Sequence, residues 1–438
     1  MTQKPLLNSF NPGNANELDA PTKALIARRQ RALGAGYRLF YERPVYAERA
    51  EGIWLYGKDG ERYLDAYNNV PSVGHCHPRV VEAIAKQAAK LNTHTRYLFD
   101  VVIDYAETLL ATFPPDLDNV MFTCSGSEAT DLALRVARDF TQAEGIIVTR
   151  HAYHGTTAAA AEVSPSRGAT SPRIRTVGAP DFYRSPDGNV GAQLAEEVAR
   201  AIDSLKKDGA GFAGLVLDTV FSSDGLCVEP AGFLRDVTDV VRAAGGLLIA
   251  DEVQGGFGRT GSHMWGFARH GIVPDLVVMG KAMGNGMPIG GVVGKSHLFD
   301  KFGKSNRYFN TFAGNPVCCA AALAVLEVIE SEQLMANSVA VGNYLRTALA
   351  DLARPYPQIG DVRGAGLFAG VEFVKDQSTR QPNAAAALAC VNALRDKRIL
   401  ISTMGPYGST LKIRPPLPFT REAVDLLIKS LGECLTQI

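Results

Sequence analysis

The chain has 438 residues, with 45 Lys plus Arg against 45 Asp plus Glu, so its formal net charge is zero. Hydrophobic residues make up 46% and charged residues 21%, a globular composition that argues against disorder, and a chain of this length buries a core without disulfide or metal staples. The neutral balance gives no electrostatic case for a nucleic-acid or membrane-surface partner, and no apolar run approaches the roughly 20 residues of a membrane span.

In chain order, the opening segment MTQKPLLNSFNPGNANELDAP is polar and rich in Pro and Asn. It lacks the basic start and apolar centre of a secretory signal. The cysteines (Cys76, Cys124, Cys227, Cys318, Cys319, Cys390 and Cys434) are odd in number and form no C-x-x-C. Reduced thiols and a cytoplasmic location are the expectation. A short strand is predicted at 52–56, followed by a Lys-Asp-Gly turn at 58–60. Apolar runs of strand length occur at 120–123, 146–148, 215–217, 247–250 and 276–279, and stretches at 128–139, 190–205 and 232–244 show helical periodicity. Continuous apolar strands alternating with helices predict an α/β fold, with a mostly parallel sheet covered by helices, over about residues 75–325.

Beyond a helix at 320–330 the pattern changes. Segments 361–373 and 411–414 read as strands, and 384–396 and 422–435 as helices. At roughly 150 residues per domain, two to three domains are expected. The division is a large domain at 71–330 and a smaller α+β domain at 331–438, completed by the N-terminal segment 1–70.

Ligands of an open parallel sheet bind outside the carboxyl ends of its strands. The run at 120–123 is followed by Cys124-Ser125-Gly126-Ser127-Glu128. There Ser125 and Glu128 fit a capping box, and free amides, a glycine and two hydroxyls at a helix start suit a phosphate. The run at 247–250 is followed by Asp251, a buried carboxylate that requires a positive partner, either a pyridinium nitrogen or a structural Arg. The run at 276–279 ends in Gly280-Lys281, which taken alone is either a solvated strand-end lysine or a buried one whose lost hydration lowers its pKa and makes the amine nucleophilic. After 146–148 comes His151-Ala152-Tyr153-His154-Gly155, in which Tyr153 offers an aromatic face to a ring. Cradle, stacking ring, acid and lysine, in this order, are what a pyridoxal phosphate site needs.

Several stretches carry a family resemblance: Gly74-His75-Cys76-His77-Pro78, SGSEATDLALR from Ser125 to Arg135, Tyr153-His154-Gly155, DEVQGGFGRTG from Asp251 to Gly261, Gly280-Lys281, and TFAGNP from Thr311 to Pro316. With these the chain resembles, over nearly its full length, the class III (omega) aminotransferases among the fold-type-I pyridoxal phosphate enzymes. The resemblance implies that Lys281 carries the cofactor as a Schiff base and that Asp251 pairs with the pyridinium nitrogen. Gln254 is then near the ring 3-hydroxyl, Ser125, Gly126 and Ser127 at the phosphate, and Tyr153 and His154 beside the ring. Thr311 then reaches the phosphate of a neighbouring subunit, which implies a homodimer with shared sites.

Other motifs are weaker. Gly256, Gly258 and Gly261 match G-x-G-x-x-G, but no helix opens there after a first strand, as a dinucleotide site requires. His75, Cys76 and His77, like His151 and His154, lack a second cluster at zinc spacing, and no metal site is expected. His77-Pro78 reads as a helix entry. A non-catalytic scaffold would be expected to have lost Lys281 or Asp251, and both are present.

Three details bear on the reaction. Many transaminases of the family carry a Glu that gates an anion-binding Arg, and the matching stretch here, Phe221-Ser222-Ser223-Asp224-Gly225, places Ser223 at that position. Arg414 matches the anion-binding Arg and is then free for a carboxylate or phosphate. The strings Asn68-Asn69-Val70, LNTHTRYL from Leu91 to Leu98, and Tyr308-Phe309-Asn310-Thr311 resemble the ethanolamine-phosphate phospho-lyase branch. That likeness implies elimination of phosphate from a small phosphorylated amine, phosphoethanolamine giving acetaldehyde, phosphate and ammonia. Arg414, Arg96 and Asn69 are the candidate contacts to the substrate phosphate. The alternatives are an omega-aminotransferase passing an amino group to a keto acid, and a 5-phosphohydroxylysine lyase.

Overall fold

The apolar runs form the middle of a seven-stranded sheet. The computed structural model describes residues 8–58, 60–168, 171–185 and 188–438. Residues 1–7 of the opening segment and residue 59 of the expected turn lie outside them. Among the described residues the strands are β1 (Ala47–Glu51), β2 (Trp54–Gly57), β3 (Arg62–Asp65), β4 (Asn119–Thr123), β5 (Ile146–Thr149), β6 (Ile174–Val177), β7 (Gly214–Asp218), β8 (Leu247–Asp251), β9 (Leu276–Met279), β10 (Gly290–Gly294), β11 (Ile359–Ala365), β12 (Phe368–Phe373), β13 (Ile399–Leu400), β14 (Ser402–Met404) and β15 (Thr410–Ile413).

The large sheet has the order β4-β10-β9-β8-β7-β5-β6. Only β10 runs against its neighbours β4 and β9, and the remaining pairings are parallel. Strands β5, β8 and β9 are buried at every position, because helices cover both faces of a parallel sheet. The side chains of β7, β8 and β9 alternate between two cores. Leu215, Leu217, Leu248, Ala250, Val277 and Met279 face one side, while Val216, Ile249 and Val278 face the other. The helix Gly126–Thr141 buries Ala129, Leu132, Ala133, Val136 and Ala137, the spacing of a single helical face. Removing one such buried leucine side chain, as in Leu248→Ala, costs about 2–5 kcal/mol.

The expected strand at 361–373 is two antiparallel strands, β11 and β12, with Gly366 in the left-handed region between them. They join β15 and β14 in a second sheet of order β11-β12-β15-β14. In a third sheet β3 pairs in parallel with β13, Leu64 opposite Ile399. Tyr41, Ile53, Tyr63 and Leu64 accordingly share a core with Leu345, Phe373, Val391 and Phe419. Helix entry at Pro78 is as expected, with His77 preceding it but making no capping bond. No helix among the described residues is long and apolar enough to cross a membrane.

Candidate active site

Four strand ends converge on Lys281. Strand β9 stops at Met279, and Lys281 opens a short turn ending at Gly284. Its φ of 35° lies in the left-handed region, which side-chain-bearing residues seldom occupy and which recurs at functional sites. Strands β7 and β8 end side by side, with Asp218 in register with Asp251. Strand β4 leads through Cys124 and Ser125 into the helix Gly126–Thr141.

That helix start packs backbone to backbone against the lysine turn. A Cβ on Gly280 would lie 3.0 Å from the Gly126 nitrogen, and one on Gly126 would lie 3.1 Å from Val253 Cγ2. A side chain at either position would crowd its neighbour, and the glycines leave bare amides at the positive end of a helix. Ser125 Oγ accepts from the Glu128 N–H at 3.2 Å, while the Glu128 carboxylate accepts from the Cys124 N–H at 2.7 Å. The capping box therefore closes one residue earlier than the Ser125–Glu128 pair predicts. Ser127 Oγ accepts from the Thr156 N–H at 3.1 Å, tying the half-buried Tyr153 and its loop to the helix start.

His154 is buried behind Asp251, its Nδ1 2.6 Å from Asp251 Oδ2. Facing a carboxylate, Nδ1 carries the proton. Asp251 Oδ1 accepts from the Val253 N–H at 3.0 Å, and His154 Nε2 is buried without a hydrogen-bond partner. Asp218 accepts from the backbone N–H groups of Val220 and Ser222 at 3.1 and 2.9 Å. Burial, and then the neighbouring Asp251, hold its pKa above the ordinary aspartate range. Burial likewise pushes Asp224 up to about 7, against the hydrogen bond it accepts from Thr149.

The opposite wall is cationic. Gln254 Oε1 accepts from Lys412 Nζ at 3.1 Å and also from Arg414 Nη1, while Gln254 Nε2 donates to Ser222 Oγ. Arg414 also donates through Nε to the Tyr67 carbonyl at 3.3 Å and lies over the Tyr67 ring at 5.3 Å. Burial and then Arg414 bring Lys281 down to about 8, against the pull of Asp251 and Asp218. The same two causes hold Lys412 well below the ordinary lysine range.

The structure thus brings Lys281, Asp251, His154, Gln254 and Arg414 together, with Gly126 and Ser127 alongside. Asn69 is buried in the segment between Arg414 and the lysine turn, and its Oδ1 has no partner. Arg96 and Thr311 are exposed in this chain. The Arg96 guanidinium lies 3.7 Å from the centre of the Phe309 ring, and Asn310 next to Thr311 donates to Glu128 at 3.3 Å. Sequence reasoning missed Lys412 and Asp218. The signal for Lys412 was present: it stands two residues before Arg414, on the same side of an extended strand.

These residue types fit pyridoxal phosphate. An amine depressed towards neutrality can take its carbonyl, and a buried carboxylate backed by an imidazole suits a pyridinium nitrogen. The side-chain-free amides at Gly126 leave space and donors for a phosphate. No group of three or more His, Cys, Asp or Glu that could hold a metal occurs among the described residues.

Comparison with known proteins gives the family. The chain is 40% identical over 440 residues to the Drosophila melanogaster alanine–glyoxylate aminotransferase 2-like protein, covering 97% of this chain and 89% of that one. It is 38% identical over 452 residues to the Caenorhabditis elegans ethanolamine-phosphate phospho-lyase homolog 1, covering 98% and 97%. A phospholyase from Arthrobacter, solved in complex with phosphoethanolamine, superposes with a TM-score of 0.92 at 43% identity, covering 94% of this chain and all of that one. With the class III aminotransferase model matching residues 40–435, the chain belongs to the class III aminotransferase family.

Proposed function

We propose that this chain is a pyridoxal phosphate-dependent phospho-lyase that eliminates phosphate from a small phosphorylated amine, converting phosphoethanolamine and water to acetaldehyde, phosphate and ammonia. The observation that carries this reading is the convergence of Lys412 and Arg414 on one neutral oxygen, Gln254 Oε1. Buried beside Lys281, the Arg414 guanidinium and the Lys412 amine offer several donors to one anion, and the oxygens of a phosphate use them more fully than those of a carboxylate. The neighbouring phospholyase with bound phosphoethanolamine supports the same substrate class.

The cofactor, when bound, supplies a protonated pyridine ring that accepts the electron pair left as the substrate Cα–H bond breaks. The protein supplies the rest. Lys281 would hold the cofactor through its Nζ, and the same Nζ, free and neutral, would take the Cα proton. Asp251, oriented by His154, keeps the proton on the pyridine nitrogen. The amides at Gly126 and Ser127, with Ser125, would hold the cofactor phosphate, Tyr153 would cover the ring, and Gln254 would face its 3-hydroxyl. Arg414 and Lys412 bind the substrate phosphate alike before and during its departure, with Asn69 and Arg96 as further contacts. A second copy of this chain completes the site through Thr311, giving a homodimer. The units that carry this are residues 71–330 for the cofactor, and 331–438 with 1–70 for the substrate-facing wall. The cell compartment of the proposal is the cytoplasm.

One observation favours the aminotransferase reading: a guanidinium such as Arg414 takes a carboxylate with the same fork geometry. Competition separates the two. With phosphoethanolamine as substrate, 2-aminoethylphosphonate should inhibit at least about tenfold more tightly than β-alanine, its carboxylate counterpart. Equal inhibition, or tighter binding of β-alanine, would favour transamination.

A further inference from the structure

His75 belongs to a motif that neither the cofactor nor a metal accounts for. Its Nε2 lies 2.7 Å from Asp65 Oδ2, ten residues earlier in the chain. Asp65 is buried, and its other oxygen accepts from the N–H groups of Tyr67 and Asn68 at 3.1 and 2.9 Å. The backbone of His75 is itself fixed, exchanging two hydrogen bonds with Gly52 at 2.7 and 3.0 Å.

The contact closes residues 65–75 into a loop, and that loop touches both halves of the site. On one side the Arg414 N–H donates to the Ala66 carbonyl at 2.8 Å, and the Arg414 guanidinium donates to the Tyr67 carbonyl and lies over the Tyr67 ring. On the other, Ser72 Oγ donates to the Ala282 carbonyl at 3.0 Å. Asn285 accepts from the Val73 N–H at 3.1 Å and donates to the Gly74 carbonyl at 2.9 Å. Ala282 lies in the lysine turn and Asn285 directly follows it. The loop is therefore the strut between Arg414 and Lys281, and Asp65–His75 is its clasp.

We propose that Asp65 and His75 are positioning residues that set the spacing between the substrate-anion site at Arg414 and the reacting amine of Lys281. Neither touches substrate. Asp65 holds the Tyr67 and Asn68 amides, which fixes the Tyr67 carbonyl that aims Arg414, and His75 holds Asp65. A misplaced guanidinium weakens anion binding in ground and transition states alike, so the loss falls on KM. The inference rests on Arg414 being the anion site.

The test uses the holoenzyme, with inorganic phosphate as the probe, measured as an inhibitor of phosphoethanolamine turnover. His75→Ala should raise both the phosphate inhibition constant and the phosphoethanolamine KM about tenfold while kcat stays within about twofold. His75→Gln, which can present an N–H near the position of Nε2, should restore most of the affinity. A purely structural role would not give that split or that rescue. If His75→Ala does not fold, Asp65→Asn carries the test, since it keeps an acceptor for Tyr67 and Asn68 but loses the charge facing His75; it should shift the same two constants in the same direction. Unchanged phosphate affinity in these variants, or a fall in kcat with KM unmoved, overturns the clasp. Arg414→Ala is the control. If it too leaves phosphate affinity unchanged, the anion-site reading itself fails, whereas a response to Arg414→Ala alone rejects only the clasp.

Discussion

The strand-end cluster and the face around Leu98 are opposites. In the cluster, charged groups are buried and hydrogen-bonded to polar neighbours: Arg414 is 4% exposed and Asp251 5%. On the face, large apolar groups stand in the open. Leu98 is fully exposed, Phe312 is 69% exposed and Tyr97 65%, and the stacked pair His94–Tyr97 and the Arg96–Phe309 contact lie beside them. A single chain builds the chemical end of the site by itself. It leaves Arg96 and Thr311 on a surface that also exposes Leu98 and Phe312, the surface that the proposed second copy would cover.

The comparison can be broken from either side. The largest effect is expected at Lys281: Lys281→Ala should lower phosphate release by about 10³-fold or more, because base and attachment point are lost together. Activity near that of the parent, with the natural substrate, would remove the cluster from the chemistry. Next is the cationic wall. Arg414→Ala should reduce kcat/KM for phosphoethanolamine roughly 100-fold, about 2.7 kcal/mol, and Lys412→Met by a smaller factor. Equal effects on a neutral amine substrate would show that these groups serve the scaffold rather than the anion.

On the exposed face, Leu98→Glu combined with Phe312→Glu should shift the chain towards monomer in light scattering and lower activity roughly tenfold or more, while the fold keeps its circular dichroism. A monomeric variant with full activity would show that the site needs no second copy. The smallest effect concerns pH. Burial and Arg414 both disfavour the Lys281 ammonium, so its neutral amine predominates above about pH 8. Uptake of pyridoxal phosphate by cofactor-free protein, which needs that neutral amine, should rise through about pH 8. Arg414→Ala should move the midpoint upward, since a repelling cation is removed. A parent midpoint at the ordinary lysine value would contradict the electrostatic account.

The cluster was more legible in the sequence than the frame around it, for physical reasons. Strands β5, β7, β8 and β9 are buried on both faces, so they stand out as unbroken apolar runs; Asp251 ends one of them, and Lys281 follows another after a single glycine. Strand β10, Gly290-Gly291-Val292-Val293-Gly294, is as buried as its neighbours. Three glycines mask it, because glycine carries no apolar side chain and normally weakens a strand. Strands β13 and β14 are two and three residues long, too short for periodicity to show, and they exist only through pairing with β3 and β15. Lys412 was legible only as a partner of Arg414 across one intervening residue. Asp65 and His75 carry no local signal for each other, because their contact exists only once the loop between them has folded.

The account stands most directly on phosphate release without an amino acceptor. Purified holoenzyme given phosphoethanolamine and no keto acid should produce inorganic phosphate, acetaldehyde and ammonia in equal amounts over many turnovers, at a rate that pyruvate does not increase. No phosphate beyond a single turnover, with steady alanine formation once pyruvate and an amine are supplied, would contradict it and assign the chain to amino transfer.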